Sequence, residues 1–133
     1  MKAVFKVGNS FGYVSLYTKE QNIEEQFEAL KPYMKSKENL YIDGNSNMNI
    51  DRTEFEDMYN KMEKGDTLYI KSIDSLGDNP THIKKRLEMF KYKRIRIKIT
   101  DIPTTLQDIP AGEEWVKDRI ENILIEVYSS IYK

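Results

Sequence analysis

The chain has 133 residues, no cysteine and a single histidine, His82. That length suits one domain with a real core, and the composition excludes disulfides, thiolate metal sites and a His-rich metal centre. Hydrophobic residues make up 39% and charged residues 32%, with a net charge of −1, so the chain lacks the broad nucleic-acid affinity of a basic domain. No apolar run approaches the ~18 residues of a membrane span. The opening MKAVFKVGNS has no apolar signal core, so a cytoplasmic protein without membrane association is expected.

In chain order, residues 1–10 read as a frayed lead-in, because Gly8, Asn9 and Ser10 interrupt Val4, Phe5 and Val7. Residues 11–17 carry β-type side chains and predict a first strand, which runs into the polar TKEQN. A helix follows over 21–35, with Ile23, Phe27, Leu30 and Met34 at helical spacing. Thr18 or Asn22 is a candidate cap, and Pro32 is expected to bend or end the helix. Residues 39–43 predict the second strand, followed by the turn-rich GNSNMN. Asp51 opens a capping-box pattern, DRTE, for a helix over 51–64. Its apolar face is Phe55, Met58, Tyr59 and Met62, and Gly65 stands at the expected C′ position.

Residues 67–72 predict a third strand, 74–80 a loop, and 81–92 a third helix with Ile83, Leu87 and Phe90 inward. Residues 94–100 alternate strictly: Ile95, Ile97 and Ile99 on one face, Arg94, Arg96 and Lys98 on the other. Such alternation predicts a fourth strand at or near a sheet edge, with one face wet. After a loop marked by Pro103 and Pro110, a last helix runs from about residue 113. Its apolar stripe is Val116, Ile120, Ile123, Leu124, Val127 and Ile131.

Strands alternating with helices imply an α/β domain of three layers, a mostly parallel sheet of four to five strands flanked by helices. A single domain over 1–133 is expected. The strand-to-helix loops at 15–22, 44–52 and 74–80 then fall along one edge, where α/β proteins gather their chemistry. Asp43, Asp74 and Asp78 on those loops admit a Mg²⁺-binding, receiver-like reading, although acids at strand ends also serve as helix caps. No phosphate-loop or dinucleotide glycine motif occurs, and no cofactor is expected. Residues 82–98 hold eight Lys or Arg against one acid. They read as a phosphate-binding patch or, more simply, as the solvated face of a helix and an edge strand. His82 reads as a surface or capping residue.

The residues also carry a resemblance. FGY and TKEQN, YIDGNSNMNIDR, KGDTLYIKSIDSLG, RIKITDIPTT and EWVKDRIENILIEV stand in order over about residues 11–128. Together they resemble the catalytic domain of the serine recombinases, the resolvase/invertase family. The resemblance implies the resolvase α/β sheet, DNA as partner, and a long last helix that dimerises and reaches the DNA. It also implies a site in which a serine attacks a DNA phosphodiester, supported by arginines.

At that site the chain departs from the family. The family strand ends Tyr-x-Arg-Val-Ser-Thr; here Tyr17 stands at the nucleophile position and Ser15 at the arginine position. The family loop Asp-Arg-Leu-Gly-Arg reads Asp74-Ser75-Leu76-Gly77-Asp78, without either arginine. Gln21, Gln26, Asp43, Ser46, Arg52 and Asp74 match the family's supporting polar positions. Phosphoryl transfer rests on positioning and charge stabilisation, and removing one stabilising arginine costs on the order of 10³–10⁵ in rate. The expectation is a domain that does not cut DNA and that associates through residues 113–132, with itself or with an active recombinase on a mobile element. Catalysis through Tyr17 or Ser15 is the enzymatic alternative. The family continues into a separate DNA-binding domain, whereas this sequence stops at Lys133. A short product with little independent affinity for DNA is expected.

Overall fold

A computed structural model of the chain describes residues 8–15, 23–34, 36–44, 53–77 and 79–107, and positions 112, 113, 115, 116, 119, 120, 122, 123 and 126 further on. Four strands, β1 (Ser10–Ser15), β2 (Leu40–Asp43), β3 (Thr67–Ile70) and β4 (Arg96–Ile99), alternate with α1 (Ile23–Leu30), α2 (Thr53–Lys61) and α3 (Pro80–Tyr92). The sheet order is β2-β1-β3-β4, and every pairing is parallel. Single-turn helices at Lys31–Tyr33, Lys37–Asn39, Ile73–Leu76 and Pro103–Leu106 fill the connections.

Side-chain alternation divides the sheet into two covered faces. Phe11 and Tyr13 of β1, Leu68 and Ile70 of β3, and Ile97 and Ile99 of β4 pack with Phe55, Met58, Ile83, Leu87 and Phe90 from α2 and α3. Phe55 forms edge-on contacts with Tyr13 and Phe90, at 5.3 and 5.7 Å between ring centroids. Helix α1 lies against the opposite face. There a Cβ added to Gly12 would meet Met34 Sδ at 3.0 Å and Leu40 Cδ1 at 3.1 Å, so the glycine lets that layer approach β1. Gly8 has the tighter constraint: an added Cβ would lie 1.9 Å from the Gly65 carbonyl oxygen. No side chain fits there without moving backbone.

Within the described residues the four predicted strands and the first three helices are present; β1 and α3 begin one residue early, at Ser10 and Pro80, while α2 stops at Lys61, β3 at Ile70 and β4 covers only Arg96–Ile99. Helix α1 stops at Leu30, and Pro32 falls in the single turn that follows, because proline lacks an amide and its ring clashes with the preceding turn. Its candidate caps, Thr18 and Asn22, lie outside the described residues. Asn79 caps α3, its side-chain oxygen accepting from His82 N–H at 2.9 Å. His82 thus belongs to a capped first turn and is not itself the cap. The described helical positions of the C-terminal stretch are 115, 116, 119, 120, 122, 123 and 126.

Strand β4 is at the edge of the sheet that the described residues form, where its alternation predicted it, but its polar face is not wet. Lys98 is only 7% exposed, with its ammonium 5.9 Å from the centre of the Tyr69 ring, which itself stacks on Tyr33. Arg96 donates to the carbonyls of Thr105 and Gln107, at 2.9 and 3.3 Å. Long cationic side chains bury their stems while their heads find partners, so alternation marks the edge without fixing exposure. The Pro103–Leu106 turn also closes the strand end, where Thr105 Oγ1 accepts from Ile99 N–H at 2.7 Å.

Candidate active site at the carboxyl edge of the sheet

Parallel pairing sets Ser15 beside Asp43, and the chain leaving β3 turns back over the end of β1. Ser15, Gln26, Asp43 and Ser75 are all buried here. Gln26, from α1, brackets Ser15: its Nε2 donates to the Ser15 carbonyl at 2.7 Å, and its Oε1 accepts from Ser15 N–H at 3.3 Å. The Ser15 hydroxyl donates to the Ser75 carbonyl at 2.8 Å, and the Ser75 hydroxyl donates to Gln26 Oε1 at 3.3 Å. One closed network thereby joins β1, α1 and the Ile73–Leu76 turn. Both hydroxyls are spent inside it.

Asp43 has a different task. Its Oδ2 accepts from the Tyr13 hydroxyl at 2.7 Å and from Phe55 N–H at 2.9 Å, and its Oδ1 accepts from Glu54 N–H at 3.1 Å. Those amides belong to the first turn of α2, whose orphan donors need acceptors. A carboxylate there also favours the positive end of the helix dipole. Strand β2 thus supplies the acceptor for both amides. Asp51, the residue expected from the DRTE pattern to cap this helix, lies outside the described residues.

Asp74 is half-buried, at the start of the turn that carries Ser75. Tyr17, Gln21, Ser46, Arg52 and Asp78 lie outside the described residues. For the metal reading, both Asp43 oxygens are committed to α2 and Tyr13. Among the described residues no group of three or more His, Cys, Asp or Glu side chains could hold a metal ion.

Arg86 was hidden in the sequence within the basic stretch 82–98. It is 6% exposed, with its guanidinium 3.9 Å from the centre of the Phe55 ring and Nη1 donating to the Leu76 carbonyl at 2.8 Å. It holds the Ile73–Leu76 turn from below. The signal was present: Arg86 lies three residues after Ile83 and four before Phe90, on the inward face of α3. With Arg96, Lys98 and Lys93, which contacts the Tyr59 ring and carbonyl, it shows that much of the basic stretch anchors structure. Lys84, Lys85 and Arg94 are the exposed remainder.

The sequence profile of the "Resolvase, N terminal domain" family matches residues 11–127. The chain belongs to this family. It is 25% identical over 91 residues to the Transposon Tn3 resolvase of Escherichia coli, covering 68% of this chain and 49% of that protein. It is 26% identical over 87 residues to a resolvase of Clostridium perfringens, covering 65% and 46%. It is 30% identical over 81 residues to the Transposon Tn917 resolvase of Enterococcus faecalis, covering 61% and 43%. The matched region thus spans about half the length of each of these resolvases. The four-stranded parallel sheet flanked by helices is the expected resolvase-like α/β architecture, and among the described residues no helix is long and apolar enough to cross a membrane.

Proposed function

We propose that this resolvase-family domain does not cleave DNA and acts by association, with itself or with an active recombinase on a mobile element. The observation that carries the proposal is the buried Ser15–Gln26–Ser75 network. Ser15 and Ser75 stand where the family resemblance places arginines. A serine supplies no positive charge to a phosphorane-like transition state, and these two hydroxyls already donate to protein acceptors. Tyr17 at the nucleophile position and Asp78 at a third arginine position extend the same pattern in the sequence. DNA remains the partner suggested by the family, reached through the assembly more than through this chain alone.

A chimera tests this without knowledge of the natural DNA site. Residues 1–133 replace the matching part of an active resolvase and carry that protein's own remaining segment. On a supercoiled plasmid bearing its recombination sites, the chimera is expected to give neither recombinants nor a covalent protein–DNA adduct. An adduct lost in Tyr17→Phe or Ser15→Ala would establish the enzymatic alternative and overturn the proposal. Ser15 offers that alternative little support, being 2% exposed with its proton committed to the Ser75 carbonyl.

A further inference from the structure

The corner where α3 hands over to β4 holds a strained residue. Ile95 N–H donates to the Phe90 carbonyl at 2.9 Å, and Arg94 N–H donates to the Lys91 carbonyl at 3.1 Å. This pair of bonds closes the helix with a left-handed residue, a position that ordinarily takes glycine. Here it is Arg94, with φ at 62°, whereas the other described residues with positive φ are Gly44, Gly65 and Gly112. A side chain at such a φ is costly and persists where something over-determines it. The turn itself does not: its bonds, including that from Gly65 N–H to the Arg94 carbonyl at 3.1 Å, are all main-chain, and glycine makes them equally well. The Arg94 side chain is exposed and its guanidinium has no hydrogen bond or ion pair among the described residues.

Arg94 borders an open depression of about 390 Å³, whose other lining residues are Glu88, Lys91 and Tyr92. Tyr92 is 88% exposed, more than any other large hydrophobic side chain described. Lys91 donates to Asn122 Oδ1 at 2.5 Å, which steadies the ammonium at the rim and leaves it further protons to donate. Two cations thus face one acid. Lys84 and Lys85 are exposed further back along α3. Because Arg94 precedes β4, the depression is at the amino edge of the sheet, opposite the edge that gathers Ser15, Asp43 and Ser75.

We infer that this depression binds a nucleotide unit with an amino-bearing base. The base stacks on Tyr92, the phosphate meets Arg94 and Lys91, and Glu88 accepts from the exocyclic amino group. Each lining residue suits its part. An exposed phenol ring offers a stacking face to any base. A guanidinium takes a phosphate through two parallel hydrogen bonds, and an ammonium adds a point charge. A carboxylate accepts from an amino group such as that of cytosine. The volume is in the range of small-molecule sites. A duplex hides its base faces, so the unit comes from a single strand or is a free nucleotide; Lys84 and Lys85 extend the positive track open to a strand. The inference stands apart from the reading of the carboxyl edge, and neither falls with the other.

Fluorescence anisotropy at low salt tests it, with the 133-residue chain titrated into labelled oligodeoxycytidine, oligodeoxythymidine and a duplex of equal length. Oligodeoxycytidine is expected to bind most tightly, since thymine lacks the amino group and the duplex withholds its base faces. Arg94→Gly should weaken that binding about tenfold or more, and Tyr92→Leu about fivefold or more. Urea unfolding of the same variants separates binding from folding: Arg94→Gly should unfold at an equal or higher urea concentration, because glycine relieves the left-handed position. Cytidine monophosphate as competitor tells the two sources apart. Displacement by the mononucleotide assigns the site to a free nucleotide, and displacement by unlabelled oligomer alone assigns it to a strand. A wild-type chain that binds none of these probes, or folded Arg94→Gly and Tyr92→Leu variants that bind as the wild type does, overturns the inference.

Discussion

Replacing Asp43 tests whether this family-site carboxylate acts as a structural anchor. Asp43→Ala removes the acceptor for two first-turn amides of α2, a loss of about 1–2 kcal/mol by analogy with helix caps. It also removes the 2.7 Å hydrogen bond that the buried Tyr13 hydroxyl donates to Oδ2, worth about 1.5–3 kcal/mol for a bond to a charged acceptor. Loss of a negative charge at the helix start adds about 0.3–1 kcal/mol. Together these terms give about 3–5 kcal/mol, a large part of the ~5–15 kcal/mol that holds a domain folded. Asp43→Asn should be milder. Its single oxygen can replace Oδ2, which serves both Tyr13 and Phe55, while its amide group faces Glu54 N–H; the cost is then about 1–2 kcal/mol. Urea unfolding followed by circular dichroism reads both variants, and a double-mutant cycle with Tyr13→Phe should return a coupling of about 1–2 kcal/mol. A carboxylate kept available for a metal or a reaction behaves in the opposite way, since its removal is neutral or stabilising in the isolated protein. An Asp43→Ala variant within about 1 kcal/mol of wild type would therefore refute the anchor.

Two further outcomes follow from the core. Arg86→Met keeps the stem but removes the cation over Phe55 and the donor to Leu76, and should cost about 2–3 kcal/mol in the same unfolding assay; Arg86→Lys should not fully restore it, because an ammonium lacks the flat guanidinium face. Tyr59 titrates above the usual phenol range because burial, reinforced by Tyr92, disfavours its phenolate. The unfolded chain therefore loses this proton first, so stability should fall as pH rises past about 10, the value for an unperturbed phenol, and denaturant midpoints of Tyr59→Phe should decline less steeply over that window.

The pattern of strands and helices was legible because each element carries its own periodicity. Phe55, Met58 and Met62 were readable as the buried face of α2, and Ile83, Leu87 and Phe90 as that of α3. The convergence of Ser15, Asp43 and Ser75 was legible too, since alternating strands and helices put strand ends on one edge. What escaped was the use of polar groups. Asp43 looked like a site acid from its strand-end position, and nothing local reveals that it holds amides eleven and twelve residues away. Arg86 and Lys98 were hidden by charge: their burial depends on Phe55 and Tyr69, brought near by tertiary packing. The short turns at 73–76 and 103–106 carry no periodicity that a sequence window can detect. The dispensability of an Asp or Arg is thus a three-dimensional property here, while the placement of Leu and Ile is largely a local one.

The two serines at the carboxyl edge bear on whether activity is one substitution away. Ser15 and Ser75 meet at Gln26: the Ser15 hydroxyl reaches the Ser75 main-chain carbonyl, and the Ser75 hydroxyl shares Gln26 Oε1 with the Ser15 amide. Ser75→Arg, the change that reinstates one family arginine, removes the donor to Gln26 Oε1 and puts a guanidinium at a position 3% exposed. Arg86 already occupies the space beneath this turn, bonded to the next carbonyl, and its charge opposes a second cation. The expected cost is about 2–4 kcal/mol from burying an unpaired charge and disturbing the network, with no gain of strand cleavage in the resolvase chimera. Unfolding midpoints and plasmid cleavage measured together decide the matter. Unchanged stability with recovered cleavage would show that the network is incidental and that the lost arginines alone silence the site. Lost stability without cleavage would show that the carboxyl edge has been rebuilt around neutral groups, so that the cations could return only together with changes at Ser15 and Gln26.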